Sequence, residues 1–258
     1  MAAFLFHLNY IYIFIAMAMQ WYTARLIEVI DETYQTKRFI FEIPDLQSFD
    51  FIAGQFVNFD MPIHEESRKR RRSYSIASRP DGTNRLEFVI VKLEGGAGTG
   101  YLFNTMKVGE TMQMSSAVGK MILAEPIDYD ICFICTGTGL APFRSMINDL
   151  YFNNKAHKKI DLIFGTRSMK DVLYWDEMKK RSEEMDDFTF HPVLSREDTE
   201  ETLRGYVHPV YESMYADRHG DSNVKFFLCG WGDMIKEGRT RLAEMSFDRK
   251  QLHFEIYG

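Results

Sequence analysis

The sequence is poor in cysteine, and this excludes several kinds of protein. Only Cys132, Cys135 and Cys229 occur among 258 residues, too few for the disulfide framework of a small secreted domain. A plant-type [2Fe–2S] cluster needs four thiolates at fixed spacing, and three scattered cysteines cannot supply them. Cys132 and Cys135 form a C-x-x-C pair inside an apolar run, which favours packing in a strand over a redox or metal site. This cysteine usage is typical of a reducing, cytoplasmic compartment, and no metal site is predicted.

An excess of positive charge is also missing. The formal net charge is −6, which argues against a general nucleic-acid-binding protein. Positive charge is instead concentrated in one short run, RKRRR, at residues 68–72. Any interaction with an acidic partner is therefore expected to be local.

Lysine and arginine are absent from the first 19 residues, which are almost wholly apolar except for His7 and Asn9. The stretch is about long enough to cross a bilayer, yet it lacks the positively charged start of a secretory signal. Three interpretations remain open: a start codon assigned too far upstream, with Met17 or Met19 as the true start, a membrane anchor, and a cleaved signal. Membrane association is predicted only through this apolar extension, residues 1–20.

Residues 21–125 have the pattern of an antiparallel domain. Short segments rich in β-branched and aromatic residues alternate with turn signals. Six strands with a single helical stretch predict a closed, six-stranded Greek-key β-barrel. The expected strands are 24–30, 37–43, 55–59, 72–77, 86–93 and 111–118, and the expected helix is 99–106.

The pattern changes in residues 126–258, after a linker at 124–128. Strands there alternate with helices, which predicts an α/β domain with a parallel sheet covered on both faces. The expected strands are 131–135, 160–164, 188–194, 224–229 and 252–257, and the expected helices are 141–151, 174–185, 208–216 and 234–245.

The first of these strands ends in the most informative motif of the chain. The apolar run ICFIC breaks directly into T-G-T-G-L-A-P at residues 136–142. Glycines at this point let the backbone approach a phosphate, and the free N–H groups and dipole of the first helical turn favour its negative charge. Thr136, Gly137, Thr138 and Gly139 are therefore candidate nucleotide-binding residues.

A second pair of motifs lies in the predicted barrel. In the strand RSYSIAS, Arg72 and Tyr74 are expected on one face, with Ser73 and Ser75 on the other. About 20 residues later, GGAGTGYL at 95–102 forms another glycine-rich entry into a helix, which can hold a second pyrophosphate by the same physics.

The order of the motifs is more specific than any one of them. R-x-Y-S, a glycine loop, T-G-T-G-x-A-P, C-G-W-G-D-M at 229–234 and a terminal E-I-Y follow one another. In this order the chain resembles the ferredoxin–NADP+ reductase family over residues 22–258. The resemblance implies a flavoprotein that transfers a hydride between NADPH and FAD, and single electrons to ferredoxin or flavodoxin.

The resemblance also implies roles for matching residues in the barrel. Arg72 matches the arginine that binds the FAD pyrophosphate, and Tyr74 the tyrosine that packs against the isoalloxazine. Ser75 matches the serine beside the reactive flavin nitrogen. The second pyrophosphate contact, which favours FAD over FMN, matches Gly96, Gly98 and Thr99.

The remaining matches lie in the α/β domain. Gly137, Thr138 and Gly139 match the loop for the pyrophosphate of the nicotinamide nucleotide. Cys229, followed by Gly230, matches the nicotinamide pocket, where we interpret the thiol as a wall rather than a nucleophile. Glu255 and Tyr257 match the terminal acid and the aromatic ring that stacks over the flavin. One extra residue, Gly258, follows that ring. The implied catalytic residues are Ser75, Cys229, Glu255 and Tyr257.

The choice of nicotinamide nucleotide depends on two strand ends. An NAD site typically has an acidic residue after the second strand, whereas this chain has Arg167, whose guanidinium suits a 2′-phosphate. The third strand ends in S-R-E, containing Arg196, as in family members that use NADP. Asp171 and Glu197 leave open that these arginines form ordinary surface ion pairs. Tyr206 is a candidate for stacking on adenine, with a structural role as the alternative.

The electron acceptor is expected on a separate protein. Residues 68–72 adjoin the flavin strand and are a candidate docking site for an acidic ferredoxin or flavodoxin, or else a solvated loop in which only Arg72 is functional. Two other functions remain open: an NADH-dependent reductase component of an oxygenase or haem-protein system, and a non-catalytic flavin- or nucleotide-binding subunit.

Overall fold

The computed structural model describes residues 19–257. The three interpretations of the apolar extension at residues 1–20 fall almost wholly on residues 1–18, which lie outside the described residues. Within residues 19–257, every helix is too short or too polar to cross a bilayer.

The strands of the first half form one antiparallel sheet, as predicted. They are β1 (Trp21–Asp31), β2 (Thr36–Glu42), β3 (Phe56–Asp60), β4 (Arg71–Ser75), β5 (Arg85–Val91) and β6 (Thr111–Ser115). Their order is β4-β3-β6-β1-β2-β5, in which neighbours far apart in sequence are typical of Greek-key connections. The outer strands approach each other where the Ala77 N–H donates to the Glu87 carbonyl at 2.8 Å, which closes the barrel.

Alternation along these strands places large aromatic side chains inside the barrel. Phe41, Phe59 and Phe88 are fully buried, with ring centroids 5.0–6.0 Å apart. Two helices lie between strands, a single turn α1 (Ser67–Arg70) and α2 (Ala97–Asn104). The helix predicted at 99–106 thus begins two residues earlier, and the short α1 in the basic run was not predicted.

The second half forms a parallel sheet of six strands. They are β7 (Asp130–Thr136), β8 (Ile160–Thr166), β9 (Phe188–Leu194), β10 (Leu203–Arg204), β11 (Val224–Trp231) and β12 (Leu252–Tyr257). The order is β10-β9-β8-β7-β11-β12, and every neighbouring pair is parallel. The prediction of a parallel sheet is confirmed, and β10 is an addition, because two residues are too few to give a sequence pattern.

Helices follow the strands of this sheet, as expected for α/β units. They are α3 (Leu140–Phe152), α4 (Trp175–Glu184), α5 (Val207–Met214) and α6 (Gly232–Glu244). The strand order reverses between β7 and β11, and ligands of open α/β sheets bind in the crevice at such a point. The motifs at 136–139 and 229–234 lie at this crevice, because each stands at the carboxyl end of one of the two strands.

The barrel and the parallel sheet share a continuous core. Ala53, Val89 and Met121 of the first half pack in one buried cluster with Phe143 and Met146 of α3. Polar contacts reinforce the seam, since Arg144 Nη1 donates to the Ala77 carbonyl at 2.9 Å and Ser145 Oγ donates to the Ser78 carbonyl at 2.6 Å. Ala77 and Ser78 closely follow β4, so α3 is held directly against the end of the predicted flavin strand.

Candidate functional site: a cleft between barrel and sheet

A cleft of about 1250 Å³ lies between the barrel and the carboxyl edge of the parallel sheet. Pockets for one small ligand are typically about 300–1,000 Å³, so this cleft has room for more than one. Most of the predicted site residues line it, namely Arg72, Tyr74, Ser75, Gly96, Gly98, Thr99, Thr136, Gly137, Thr138, Arg167, Tyr206, Gly230, Glu255 and Tyr257. Gly139, Arg196 and Cys229 do not line it.

On the barrel side, strand β4 and the start of α2 come together. A Cβ on Gly98 would lie 2.9 Å from Arg72 Cγ and 3.4 Å from the Tyr74 hydroxyl, so glycine permits this approach. The Arg72 guanidinium donates to the carbonyls of Lys69 and Arg71 at 2.9 and 2.7 Å. No carboxylate lies within ion-pair distance of it in the part of the chain that the structure describes. Its positive charge is therefore available to an anion beside the glycine loop.

The other barrel residues shape this half of the cleft. Burial raises the pKa of Tyr74 to about 12, so its phenol stays neutral, and its ring packs 5.5 Å from that of Phe59. Thr99 is almost buried, and its hydroxyl bonds to backbone groups of Leu93 and Gly96 at 3.2–3.3 Å. Thr99 thus fixes the shape of the loop, whose residues Gly96 and Gly98 line the cleft.

On the sheet side, the loops after β7 and β11 meet backbone to backbone. A Cβ on Gly139 would lie 2.2 Å from the carbonyl oxygen of Cys229 and 2.6 Å from its carbonyl carbon. Gly230 has a φ of +138°, and a Cβ there would lie 2.4 Å from Thr136 Oγ1. Gly137, by contrast, has a φ of +52° and open space beside it. Gly139 and Gly230 therefore permit contact between the loops after β7 and β11. Gly137, in contrast, leaves space in the cleft.

The residues of this half fit a phosphate-bearing ligand. Thr136 Oγ1 is buried and has no hydrogen-bond partner within residues 19–257, and buried polar groups normally have one. After Gly137–Gly139, the 13-residue helix α3 begins at Leu140, and the N–H groups of such a helix start favour an anion.

The last strand connects the two halves of the cleft. The Tyr257 hydroxyl on β12 donates to Ser75 Oγ on β4, so the predicted terminal ring and flavin strand share one slot. Tyr74 and Tyr257 line the same cleft. Burial raises the pKa of Tyr257 well above its ordinary value, which keeps this phenol neutral.

Cys229 lies behind the wall of the cleft. Its side chain is fully buried, and burial raises the pKa of its thiol. A thiol is a poor nucleophile when it is neutral. Its position and neutral thiol fit packing behind the cleft rather than a nucleophilic role.

Glu255 lies beside Cys229 on the neighbouring strand, in direct register with it. Burial raises the pKa of the Glu255 carboxyl from 4.5 to about 7. The group can therefore hold or release one proton inside the cleft near neutral pH.

This shift predicts a pH-dependent stability difference between the wild type and Glu255→Gln. The protonated form of Glu255 favours folding, so its contribution is complete below pH 4.5 and is lost as the pH rises through about 7. The variant should have nearly the wild-type melting temperature at pH 4.5 and an increasing advantage up to pH 7.5. Thermal unfolding between these values, with the exposed Glu65→Gln in parallel, measures it. A constant difference would contradict the assigned pKa.

Two arginines lie together at the far end of the sheet crevice. The Arg196 N–H donates to the Arg167 carbonyl at 2.8 Å, and both side chains are exposed. Asp171 instead accepts from Ser168, while Glu197 accepts from the backbone N–H of Met169 at 2.7 Å. Neither arginine forms an ion pair within the described chain. The alternative of ordinary surface pairs with these two acids is thus not observed.

Four further residues of the cleft are Tyr206, Trp231, Thr33 and Gln35, of which the sequence analysis singled out only Tyr206. Tyr206, which was predicted, is 71% exposed and lines the cleft at the start of α5. Trp231 is 54% exposed and lines it too, although it stands in a motif that was recognised. Thr33 and Gln35, from the turn between β1 and β2, also line it. They had no signal in the sequence, because the residues with which they line the cleft, such as Val91 and Arg167, are far from them in the sequence.

Comparison with known proteins gives a consistent result for both halves. Residues 23–122 match the model of the oxidoreductase FAD-binding domain, and residues 133–240 match that of the oxidoreductase NAD-binding domain. Ferredoxin–NADP reductase B of Sorangium cellulosum is 32% identical over 242 residues, covering 92% of this chain and 97% of the relative. The anthranilate 1,2-dioxygenase electron transfer component of Acinetobacter baylyi is 27% identical over 212 residues, covering 82% of this chain and 60% of the relative.

Solved structures agree with the fold. A cytochrome P450 reductase of Amycolatopsis has a TM-score of 0.80 at 25% identity, covering 92% of this chain and 70% of that one. A ferredoxin NADP+ reductase of Neisseria gonorrhoeae with bound FAD and NADP has a TM-score of 0.77 at 24% identity, covering 92% and 98%. With the two domain matches and the 32% identical relative, these findings show that the chain belongs to the ferredoxin–NADP+ reductase-like family of FAD- and NAD(P)-binding oxidoreductases.

Proposed function

We propose that this protein takes a hydride from NADPH into FAD and passes single electrons to a separate ferredoxin or flavodoxin. The observation that supports it best is the single cleft in which the barrel motif and both sheet motifs converge. Hydride transfer requires reacting atoms held about 3–3.5 Å apart with aligned faces, and this cleft provides a common slot.

The residues of the chain would act mainly by binding and positioning. A bound flavin would supply the redox chemistry, since it accepts two electrons together and releases them singly. Arg72 and the loop at Gly98 would hold one pyrophosphate, and Gly137 with the start of α3 would hold the other. Each half of the cleft therefore anchors one nucleotide.

The ring of Tyr257 would cover the flavin side of the cleft until a nicotinamide ring displaces it. Its hydroxyl is bonded to Ser75 across the cleft, so the ring must move if a nicotinamide is to reach the flavin side. Breaking one such hydrogen bond costs only about 1 kcal/mol net, which makes the ring a displaceable lid. The surrounding side chains are largely apolar and would exclude water from the reacting groups.

The choice of NADPH over NADH rests on Arg167 and Arg196. The double charge reversal Arg167→Glu/Arg196→Glu should lower kcat/KM for NADPH by about 100-fold, because hydrogen bonds to charged groups are worth about 1.5–3 kcal/mol each. The kcat/KM for NADH should change little, because NADH has no 2′-phosphate. Initial rates with both nucleotides test this, with the exposed Arg249→Glu as a matched charge reversal away from the cleft. Equal losses for NADPH and NADH would contradict a 2′-phosphate site here.

The docking site for the electron acceptor is the basic run at residues 68–72, which extends from α1 into the start of β4. Lys69 pairs with Glu66 at 2.7 Å and Arg70 with Asp60 at 2.6 Å, which neutralises part of its charge. Arg68 is exposed, and Arg71 lies 5.1 Å above the ring of Trp21. These two positive side chains adjoin the strand that carries Arg72 to Ser75, so an acidic carrier bound to them would lie near the flavin site.

An NADH-dependent reductase component of an oxygenase is the second candidate. It is favoured by the match to an electron transfer component of a dioxygenase, although this chain spans only 60% of that relative. The substrate nucleotide separates the two candidates, because the second predicts faster reduction by NADH.

An anaerobic titration of the FAD-loaded protein tests the proposal as a whole. NADPH should bleach the flavin absorption band at much lower concentration than NADH, and oxidised ferredoxin or flavodoxin added afterwards should restore it. Protein that stays yellow with either nucleotide would support a non-catalytic binding subunit instead. Bleaching by NADH alone would favour the oxygenase-type reductase.

A further inference from the structure

The turn between β1 and β2 reaches from the barrel to the nucleotide domain. Glu32 Oε1 accepts the backbone N–H of Tyr174 at 2.6 Å, and Lys170 Nζ lies 4.8 Å from the ring centroid of Tyr34. Thr33 Oγ1 accepts the N–H groups of Gln35 and Thr36 at 3.4 and 3.2 Å, which gives the turn a defined shape. It therefore packs against the loop that follows β8.

That loop begins with Arg167, one of the two arginines assigned to the 2′-phosphate. Tyr34 is 59% exposed, so its ring is not needed to fill a core. The Asp171 carboxylate raises the pKa of its phenol, and the charges of Arg167 and Arg196 act in the opposite direction. Tyr34 thus lies beside Lys170 at this corner, although its own side chain does not line the cleft.

The turn also faces the cleft itself. Thr33 and Gln35, on either side of Tyr34, line it together with Arg167 and Asp171. Both the barrel turn and the sheet loop consequently contribute to one corner, at the end of the cleft where β8 and β9 finish.

We propose that Tyr34, carried by the barrel, is a specificity-determining residue for the nicotinamide nucleotide, and that its hydroxyl binds the 2′-phosphate beside Arg167, Lys170 and Arg196. A phenol donates one hydrogen bond and a phosphate supplies several acceptor oxygens. The Asp171 carboxylate, which shares this corner, keeps its hydrogen bonds from Ser168. This inference depends on the proposed preference for NADPH.

The proposal has a consequence for how the two domains cooperate. The three cations belong to the nucleotide domain, whereas Tyr34 belongs to the barrel. A 2′-phosphate in this corner would therefore contact both domains, and a nucleotide lacking it would contact only one of them there. The barrel would then contribute to discrimination between NADPH and NADH.

Tyr34→Phe tests this directly, because it removes only the hydroxyl. Binding of 2′-AMP and 5′-AMP to the FAD-loaded protein is measured by calorimetry, and kcat/KM is measured with NADPH and NADH. The affinity for 2′-AMP should fall about tenfold, as expected for one hydrogen bond to a charged group, with 5′-AMP unchanged. The NADPH-to-NADH ratio of kcat/KM should fall by a similar factor.

Tyr151→Phe is the matched control. Its hydroxyl donates to the Glu184 carboxylate at 2.7 Å, and the residue lies in the last turn of α3. This variant should bind both nucleotides as the wild type does. Unchanged melting temperatures for both variants exclude a general loss of structure.

The outcomes separate this inference from the proposed function. If the wild type binds 2′-AMP no more tightly than 5′-AMP, the NADPH preference itself is wrong, and Tyr34 has no such role. If the wild type discriminates and Tyr34→Phe discriminates equally well, only the role of Tyr34 is overturned. Faster loss of FAD on ultrafiltration of Tyr34→Phe, with 2′-AMP affinity intact, would assign the hydroxyl to the flavin nucleotide and likewise overturn it.

Discussion

Replacing Gly139 with alanine is expected to lower NAD(P)H-dependent flavin reduction by about 100-fold or more while leaving FAD bound. The added Cβ would lie 2.2 and 2.6 Å from the carbonyl oxygen and carbon of Cys229, which are backbone atoms and cannot rotate away. The start of α3 must therefore separate from β11, and a displacement of about 1 Å in a reacting geometry can cost 100-fold in rate. The barrel half of the cleft is not touched by this change.

Anaerobic reduction rates and the FAD content of the purified variant test this prediction together. Gly100→Ala is the matched control, because Gly100 also lies in the first turns of a helix but a Cβ there would meet no atom within 4 Å. The flavin of Gly100→Ala should be reduced as fast as that of the wild type, since alanine is favoured over glycine in a helix interior. Wild-type rates for Gly139→Ala would show that the two loops need not approach so closely.

Arg144→Met is expected to cause the largest loss of stability, about 3–5 kcal/mol, as when one partner of a buried ion pair is removed. Arg144 is 9% exposed. Its guanidinium donates to both carboxylate oxygens of Glu177 at 2.8–3.0 Å and to the Ala77 carbonyl at 2.9 Å. Glu87 lies 3.3 Å away. Methionine fills similar space but leaves Glu177 without its cation, and Glu87 with only the more distant Arg38, 3.8 Å away.

Urea denaturation of the FAD-loaded protein measures this loss. Arg241→Met is a suitable comparison, because Arg241 also contacts two carboxylates, Glu212 and Glu237, at 2.7–2.8 Å, but on the surface. Exposed ion pairs contribute little, so this variant should unfold at nearly the wild-type urea concentration. Equal midpoints for the two variants would contradict a stabilising role for the seam network.

The architecture was largely predictable because it depends on local periodicity. Alternating apolar residues at 37–43 and 86–93 predicted barrel strands, and the regular succession of strands and helices after residue 126 predicted the parallel sheet, as observed. The one-turn α1 and the two-residue β10 were missed. Both are too short to repeat a pattern and depend on neighbouring segments.

The candidate site was predictable only where a motif carries its own backbone requirement. Glycines at 137 and 139 indicate a turn from a strand into a helix, so a phosphate-binding loop was predicted from the sequence. The contact of Gly139 with the Cys229 carbonyl, and the bond from Tyr257 to Ser75, join residues 90 or more positions apart. No local pattern encodes such a contact.

The sequence by itself determined the two kinds of folding unit and the order of the nucleotide-binding motifs, because side-chain periodicity and glycine placement act over a few residues. Only the tertiary structure decided that these motifs face one cleft, that Asp171 and Glu197 bond elsewhere than to Arg167 and Arg196, and that the barrel turn bearing Tyr34 reaches the nucleotide domain. These relations arise from packing two domains across an apolar seam, which brings together side chains that chain connectivity leaves far apart.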